Sequence, residues 1–360
     1  MIYNIGDIYT AKSFVGYVDV KLPELEKKTE LKSLFPDKSV VGLDFSYIKT
    51  TNGIIELTIP SAYDAEPIAQ HRKGFDAMKG ELPLFRRKTV LSEKERQNLA
   101  MALASNIEES YKAILRNIYD DQMTLITGAE MTKEFLRTRV LMDGKITIES
   151  NGGAVNFDYK VPSTHKDTLT SYDTWEKPDA KIATQIRDWC DIIEEDTGVR
   201  PDTMILNRKT FKLLRENKEI RANMVPLSLI ATATIMDNSY LPDTAIMDAL
   251  KAATGLSNII VYGGKVSMDG KIYDLIEDKK VALFPSSIQL GNTLNGISPA
   301  EFSAQYIANA GNDIAITADG IAVNAYVENK APYTAGTEVE FVSIPSFEGS
   351  DYVFQATVQE

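Results

Sequence analysis

Along this chain the spacing of apolar positions changes period several times, and each change predicts an element. In SEKERQNLAMALASNIEESYKAILRNIYDDQMTLIT, Leu99, Leu103, Ile107, Tyr111, Ile114 and Ile118 recur at three- or four-residue steps, the stripe of an amphipathic helix. Ser92 and Glu95 stand at capping-box spacing at its start, where a serine oxygen accepts an early backbone N–H and a glutamate reaches back. No Gly or Pro interrupts the run before Gly128. The pattern predicts a helix over 92–118, about 40 Å long at about 1.5 Å per residue. A second helix is predicted over 129–142, with Phe135, Leu136, Val140 and Leu141 inward and Asp143-Gly144 ending it.

Elsewhere the period is two. VVGLDFSYIKT and NGIIELTIP read as strands around the turn Thr51-Asn52-Gly53, and PLF at 83–85 as a short return strand, because β-branched and aromatic residues bounded by turn formers favour a pleated chain. Residues 42–91 therefore read as a long two-stranded excursion, and an isolated ribbon of that kind is only marginally stable without cover. KITIES-NGG-AVNFDYKVP reads as a hairpin, its Asn-Gly-Gly supplying positive φ. From 178 helices and short strands alternate: PDAKIATQIRDWCDIIEEDTG with Ile182, Ile186, Trp189, Cys190 and Ile193 as its buried face, then TMILN, NRKTFKLLREN, PDTAIMDALKAATG, NIIVYGG and KIYDLIE. This is the signature of a compact α/β unit. GIAVNAYVENKAP, TEVEFVSIPS and YVFQATV return the chain to strands, whereas residues 1 to about 40 carry isolated apolar residues and read as an arm.

Composition adds the charge. The 360 residues carry a formal net charge of −12 at pH 7, which disfavours general nucleic-acid binding because affinity for the phosphate backbone comes from Lys and Arg. One cysteine, Cys190, leaves no internal disulfide framework, and synthesis in a reducing cytoplasm is the default. The N-terminal MIYNIGDIYTAKSF lacks the basic head and apolar run of a signal peptide. No apolar run approaches the roughly 18 residues of a membrane span.

Against that acidity one segment stands out. Residues 70–96 hold Arg72, Lys73, Lys79, Arg86, Arg87, Lys88, Lys94 and Arg96 against Asp76, Glu81, Glu93 and Glu95. Recognisable reaction chemistry is missing by comparison. There is no HExxH, CxxC, GxSxG or GxxxxGK[ST] pattern, His71 and His165 lie far apart and read as surface residues, and Cys190 reads as a small core residue. The carboxylate pairs Glu108-Glu109, Asp120-Asp121 and Glu194-Glu195-Asp196 fall on predicted helices, where adjacent side chains diverge. No catalytic, cofactor or metal site is expected, and no cofactor.

The order of elements, together with GKITIES…VNFDYKVP, TWEKPDAKIATQIRDWCDIIEEDTGVRPDTMILNRKTFKLL and VALFPSSIQLGNT, resembles the major capsid proteins of tailed bacteriophages. The likeness is to the lambda-type, E-like family, and it runs from about residue 40 onward. It implies an α+β fold of Hong Kong 97 type. Residues 1–41 would be an N-terminal arm, 42–91 an extended β loop, 92–177 and 301–360 a peripheral domain with a long spine helix, and 178–300 an axial α/β domain.

The implied function is structural: a major capsid protein assembling as hexamers and pentamers into an icosahedral virion shell. The shell would enclose double-stranded DNA without reading its sequence. Partners would be further copies of the chain, a separate scaffolding protein, a portal and a decoration protein, with no membrane. An encapsulin-like compartment around a cargo enzyme is the alternative, and a cytoplasmic enzyme with an unrecognised site a third reading. On the capsid reading the basic loop is an intersubunit clasp. Its cations Arg72, Lys73, Lys79, Arg86, Arg87 and Lys88 would lie over acidic surface of a neighbour, and Phe75, Met78, Leu82, Leu84 and Phe85 would supply buried area. Lys73 and Lys79 lie in the loop that some relatives crosslink, but no catalytic glutamate context accompanies them.

Overall fold

The structure, a computed structural model, describes residues 10–12, 14–16, 29–49, 76–104, 108–150, 153–223, 242–306, 313–317, 319–328 and 330–358. The chain divides into two compact units. One comprises 1–46, 79–137 and 292–346, the other 47–78, 138–291 and 347–360. The division passes near the C-terminal end of the helix Glu108–Asp143, at Arg137 and Thr138, and through the ribbon formed by β2 (Asp44–Lys49) and β3 (Asp76–Glu81), which pair with each other.

The first unit is built on a six-stranded sheet. Its strands are β1 (Asp37–Ser39), β4 (Leu84–Leu91), β13 (Thr293–Gly296), β14 (Asp313–Ile316), β15 (Ala322–Val327) and β16 (Ala335–Pro345). β16 is the axis of the sheet. Ala335–Glu340 runs antiparallel to β15 on one side and to β4 on the other, and Val342–Pro345 pairs with β13. Almost every residue of β16 is buried, as a strand covered on both faces requires. The core on one face gathers Phe14, Leu125, Ile126, Ala129, Ile321, Val323, Val339 and Phe341. Burying each large aliphatic or aromatic side chain contributes about 1.5–3 kcal/mol.

The helical run differs from its sequence reading. α1 covers Glu93–Ala104, and α2 runs unbroken over Glu108–Asp143, 36 residues. Gly128, expected to separate two helices, lies inside α2. A glycine in a helix interior costs only about 1 kcal/mol relative to alanine, and the buried face on either side of it offsets that: Leu125, Ile126 and Ala129 before and beside it, Leu136, Val140 and Leu141 after it. The side chains of Leu99, Leu103, Ile107, Tyr111, Ile114 and Ile118 lie outside the described residues. The capping box is present: Glu95 N–H donates to Ser92 Oγ at 3.4 Å, and Ser92 N–H and Oγ both donate to Glu95 Oε2 at 2.8 Å. α2 ends at Gly144, whose φ of 64° is left-handed backbone and whose missing Cβ makes room for Val161.

The second unit carries a five-stranded mixed sheet in the order β7 (Lys166–Thr168), β17 (Phe354–Thr357), β12 (Lys280–Phe284), β8 (Thr203–Leu206), β9 (Asn258–Val261). β12 is antiparallel to both neighbours, while β8–β9 and β17–β7 are parallel. α3 (Ile182–Thr197), α4 (Arg208–Glu216), α5 (Lys218–Asn223) and α6 (Asp243–Thr254) contribute to one core with these strands. The five apolar residues expected to form the buried face of α3 are all in it. Trp189 stacks on Phe354 with centroids 5.3 Å apart, and its indole N–H donates to Asp167 Oδ2 at 3.0 Å. Gly198 closes α3 at φ 74°.

Two short hairpins, β5 (Lys145–Ser150) with β6 (Gly153–Asp158) and β10 (Lys265–Met268) with β11 (Lys271–Asp274), complete the strands. α7 (Pro299–Tyr306) belongs to the first unit. His165, expected at the surface, is buried instead. It is 1% exposed, and its Nε2 lies 2.8 Å from Asp196 Oδ2 at the end of α3. The single-turn helix Ser163–His165 turns the ring inward, and a carboxylate thirty-one residues downstream partners its Nε2, while among the described residues no partner reaches its Nδ1. Cys190 is buried as expected, and burial pushes its thiol up to about 11.

Candidate assembly surface

The basic segment separates into parts with different environments. Arg72, Lys73 and the side chain of Phe75 lie outside the described residues. Met78 and Leu82 are buried at 6% and 4% exposure. Leu82 N–H donates to the Leu43 carbonyl at 2.8 Å, and its side chain fills the space that a Cβ on Gly296 would need. This revises the expected apolar contact surface: Met78 and Leu82 are already covered by their own chain. Lys79 is exposed, and Leu84 is exposed at the first position of β4.

β4 is the strand that carries Phe85, Arg86, Arg87 and Lys88. Its register against β16 sets Arg86 opposite Glu340, Lys88 opposite Glu338 and Phe85 opposite Phe341. Alternation then sends Phe85, Arg87, Thr89 and Leu91 to one face and Leu84, Arg86, Lys88 and Val90 to the other. Phe85 stacks on Phe341 at 5.0 Å between centroids, and Leu91 packs on the same core. On the opposite face Arg86 Nε donates to Glu340 Oε2 at 2.7 Å. Glu340 is 3% exposed and accepts a second bond from the Ala300 N–H in the first turn of α7. The helix dipole favours a carboxylate there. One buried carboxylate thus ties together β4, β16 and α7.

The consequence is a division of labour along three adjacent cations. Arg86 pairs with Glu340 of its own chain. Arg87 and Lys88 are exposed, with no ion pair among the described residues. β4 is also an outer strand, since no further strand pairs with its far side among the described residues. Lysine and arginine on an edge strand discourage indiscriminate strand pairing, while leaving charge for a partner of the right sign.

Sequence reasoning missed Glu340. Its signal was the alternation Glu338-x-Glu340 within TEVEFVS, which places both carboxylates on one face of a central strand, where a charge needs a partner. It also missed a buried cluster on α2: Glu130, Lys133, Glu134 and Arg137 are each at most 5% exposed. Spacing of three and four residues on a long helix reads as a solvated face until burial is known. Among the described residues no group of three or more His, Cys, Asp or Glu side chains is arranged to hold a metal ion, and no helix is long and apolar enough to cross a membrane.

Comparisons with known proteins give a family from the sequence and a fold from solved structures. The chain matches phage major capsid protein E over residues 27–319. No curated protein sequence matches it. Among solved structures, a protein described as a prophage capsid protein from E. coli CFT073 superposes with a TM-score of 0.60 at 14% identity, covering 97% of this chain and 99% of that one. A phage-related protein from Bordetella bronchiseptica RB50 gives 0.50 at 14% identity with 92% of each chain covered. The capsid asymmetric unit of cyanophage A-1(L) gives 0.50 at 10% identity, again with 92% of each. These likenesses carry the fold, which is of Hong Kong 97 type, and the family match carries the role. The chain belongs to the phage major capsid protein E family and is a structural protein of a phage head shell.

Proposed function

We propose that copies of this chain close into an icosahedral shell around the double-stranded DNA of a tailed phage, and that Arg87 and Lys88 on β4 help fix the register between neighbouring copies. The observation carrying this reading is the exposure of both cations on an outer strand, beside an Arg86 already neutralised within its own subunit. A net-negative protein supplies acidic surface on every neighbour. Each exposed pair is worth only about 0–1 kcal/mol, but the same pair repeated at every symmetry-related contact discriminates right from wrong docking. The acidity has a second use, since a wall that repels phosphate packs and releases DNA without holding it.

In this reading residues 1–41 act as the arm and 42–91 as the extended loop. Residues 92–177 with 301–360 form the peripheral domain, and 178–300 the axial domain. Hexamers and pentamers assemble on a separate scaffolding protein around a portal, with a decoration protein as a further partner, after synthesis in the host cytoplasm. No step requires an enzyme. The test is charge reversal, Arg87→Glu with Lys88→Glu, followed by electron microscopy and sedimentation of the purified protein. A folded subunit with lowered particle yield supports the clasp. Unchanged yield and heat resistance of the particles refute it, and a wild-type protein that forms no shells under any assembly condition refutes the shell itself.

A further inference from the structure

The first unit contains a buried charge cluster that the shell reading does not use. It joins five elements: the single-turn helix Glu30–Ser33, β1, α2, β13 and the turn before β15. Leu31 N–H donates to Glu134 Oε1 at 2.9 Å. Lys32 Nζ donates to both oxygens of Asp319, at 2.8 and 2.9 Å. Asp37 receives Asn295 Nδ2 at 2.9 Å and faces Arg137 Nη2 at 3.4 Å, Lys32 Nζ at 3.6 Å and Lys133 Nζ at 3.7 Å. Arg137 also donates to Thr293 Oγ1 at 2.8 Å and pairs with Glu134 at 3.3 Å. Lys133 donates to the Asp319 carbonyl.

Glu130 completes the group. It is 5% exposed, and among the described residues no hydrogen bond reaches its carboxylate. Lys133 on its own helix, Asp319 from the turn, Asp37 from β1 and Lys32 from the single-turn helix all act on it electrostatically. Among the described residues the cluster therefore sets three cations, Lys32, Lys133 and Arg137, against four carboxylates, Asp37, Glu130, Glu134 and Asp319. It balances when one carboxylate carries a proton. Glu130 is the one without a donor, so it is the one whose ionisation the site tolerates least.

We infer that residues 29–39 are a proton-linked latch: a neutral Glu130 lets this segment dock on α2, and ionisation of Glu130 loosens it. The segment buries Leu31 and Phe35, contributes a three-residue parallel strand against β13, and accepts from Thr293 N–H at the Pro36 carbonyl and from Thr293 Oγ1 at the Phe35 carbonyl, both at 2.8 Å; the charged contacts above are added to these. Burial raises the Glu130 carboxyl, with Asp319 and Asp37 adding to the rise while Lys133 and Lys32 oppose it. For an acid raised in the docked state, docking is strongest below the ordinary carboxylate value and weakens as pH rises through the docked value. Lys133 is lowered by the same burial and acts in the opposite sense in alkaline buffer, so comparison with a variant isolates Glu130.

Hydrogen exchange on the full-length protein tests the latch, from mildly acidic to mildly alkaline buffer and corrected for intrinsic exchange. The amides of residues 31–39 should lose protection with rising pH, by up to about tenfold per pH unit in the titrating window. In Glu130→Gln they should stay protected throughout, while the amides of β8 and β12 in the other unit show no such trend in either protein. Protection that follows the same pH course in both proteins overturns the proposal. Should the variant fold poorly, the wild-type infrared spectrum decides: a protonated buried carboxyl band must fade over the same pH span, and its absence from the acidic spectrum overturns the proposal equally.

Discussion

Whether Arg86 serves its own subunit or a neighbour is decided by a double-mutant cycle with Glu340. In the structure Arg86 is about half exposed while the Glu340 side chain is 4% exposed, so the two truncations are not equivalent. Arg86→Ala leaves the Glu340 carboxylate buried with only the Ala300 N–H as donor. A buried acceptor deprived of a charged donor costs about 1–3 kcal/mol. Glu340→Ala lets the arginine turn into water at little cost, but removes the acceptor from the first turn of α7. A lost helix-terminal acceptor and its dipole interaction cost about 1–2 kcal/mol together. Ser298 Oγ still accepts from Glu301 N–H at 3.2 Å, which keeps this loss toward the lower figure.

Once Glu340 is gone, Arg86 is an ordinary half-exposed residue and its removal costs no more than about 0.5 kcal/mol. The expected coupling is therefore about 0.5–3 kcal/mol, at or above the roughly 0.3–0.5 kcal/mol within which independent sites add. Urea unfolding of the unassembled subunit reads it directly. Equal costs for Arg86→Ala in both backgrounds would refute the commitment of Arg86 to its own sheet. Lowered particle yield with unchanged subunit stability would return Arg86 to the intersubunit clasp.

Ser92→Ala should destabilise the subunit by about 0.5–2 kcal/mol through loss of the cap on α1, measured by thermal unfolding. The Ser92 backbone and hydroxyl bonds hold the Glu95 carboxyl below its ordinary value, so its small, solvent-screened share of stability is present above the ordinary carboxylate value and fades as pH falls through the lowered one. The wild-type minus Ser92→Ala difference should narrow in acid accordingly. Cys190, buried in the α3 stripe with its thiol pushed up to about 11, should resist a thiol-specific reagent at neutral pH until the protein unfolds. Rapid labelling of the native subunit would show that the α3 core opens far more readily than its packing implies.

The helices of the second unit were legible in the sequence because they are amphipathic and their caps local, although β7 and β17 join its sheet from outside 178–300. The stripe Ile182, Ile186, Trp189, Cys190 and Ile193 needs no tertiary information, nor does the Asn207 cap whose side chain accepts the Thr210 N–H at 2.7 Å. What stayed hidden was decided by distant partners. The continuity of α2 past Gly128 depends on core residues supplied by other segments, so propensity alone set a break where packing sets none. β4 read as part of an excursion because FRRKTV lacks an apolar face of its own. Its place beside β16 is bought by Phe341 and Glu340, some 250 residues later.

The buried charges escaped the sequence for the same reason, and they show where a sequence reading of this fold fails in principle. Local rules assign runs such as KEFLR on a helix or FRRK on a strand to solvent, since a charged side chain is seldom buried without a partner. In this chain the partners exist but lie far off. Arg137 meets Asp37, 100 residues upstream, and Thr293, 156 residues downstream; Lys133 reaches Asp319. A buried pair of this kind adds little net stability over an apolar substitute, while breaking one side of it costs several kcal/mol. Such groups therefore restrict which segments can meet more than they strengthen the meeting. In a subunit whose segments 29–39, 84–91 and 292–346 must converge from distant parts of the chain, that restriction is what makes their convergence single-valued. It also draws into that convergence Glu130, a buried carboxylate pushed up by desolvation, on whose protonation the latch proposed above turns.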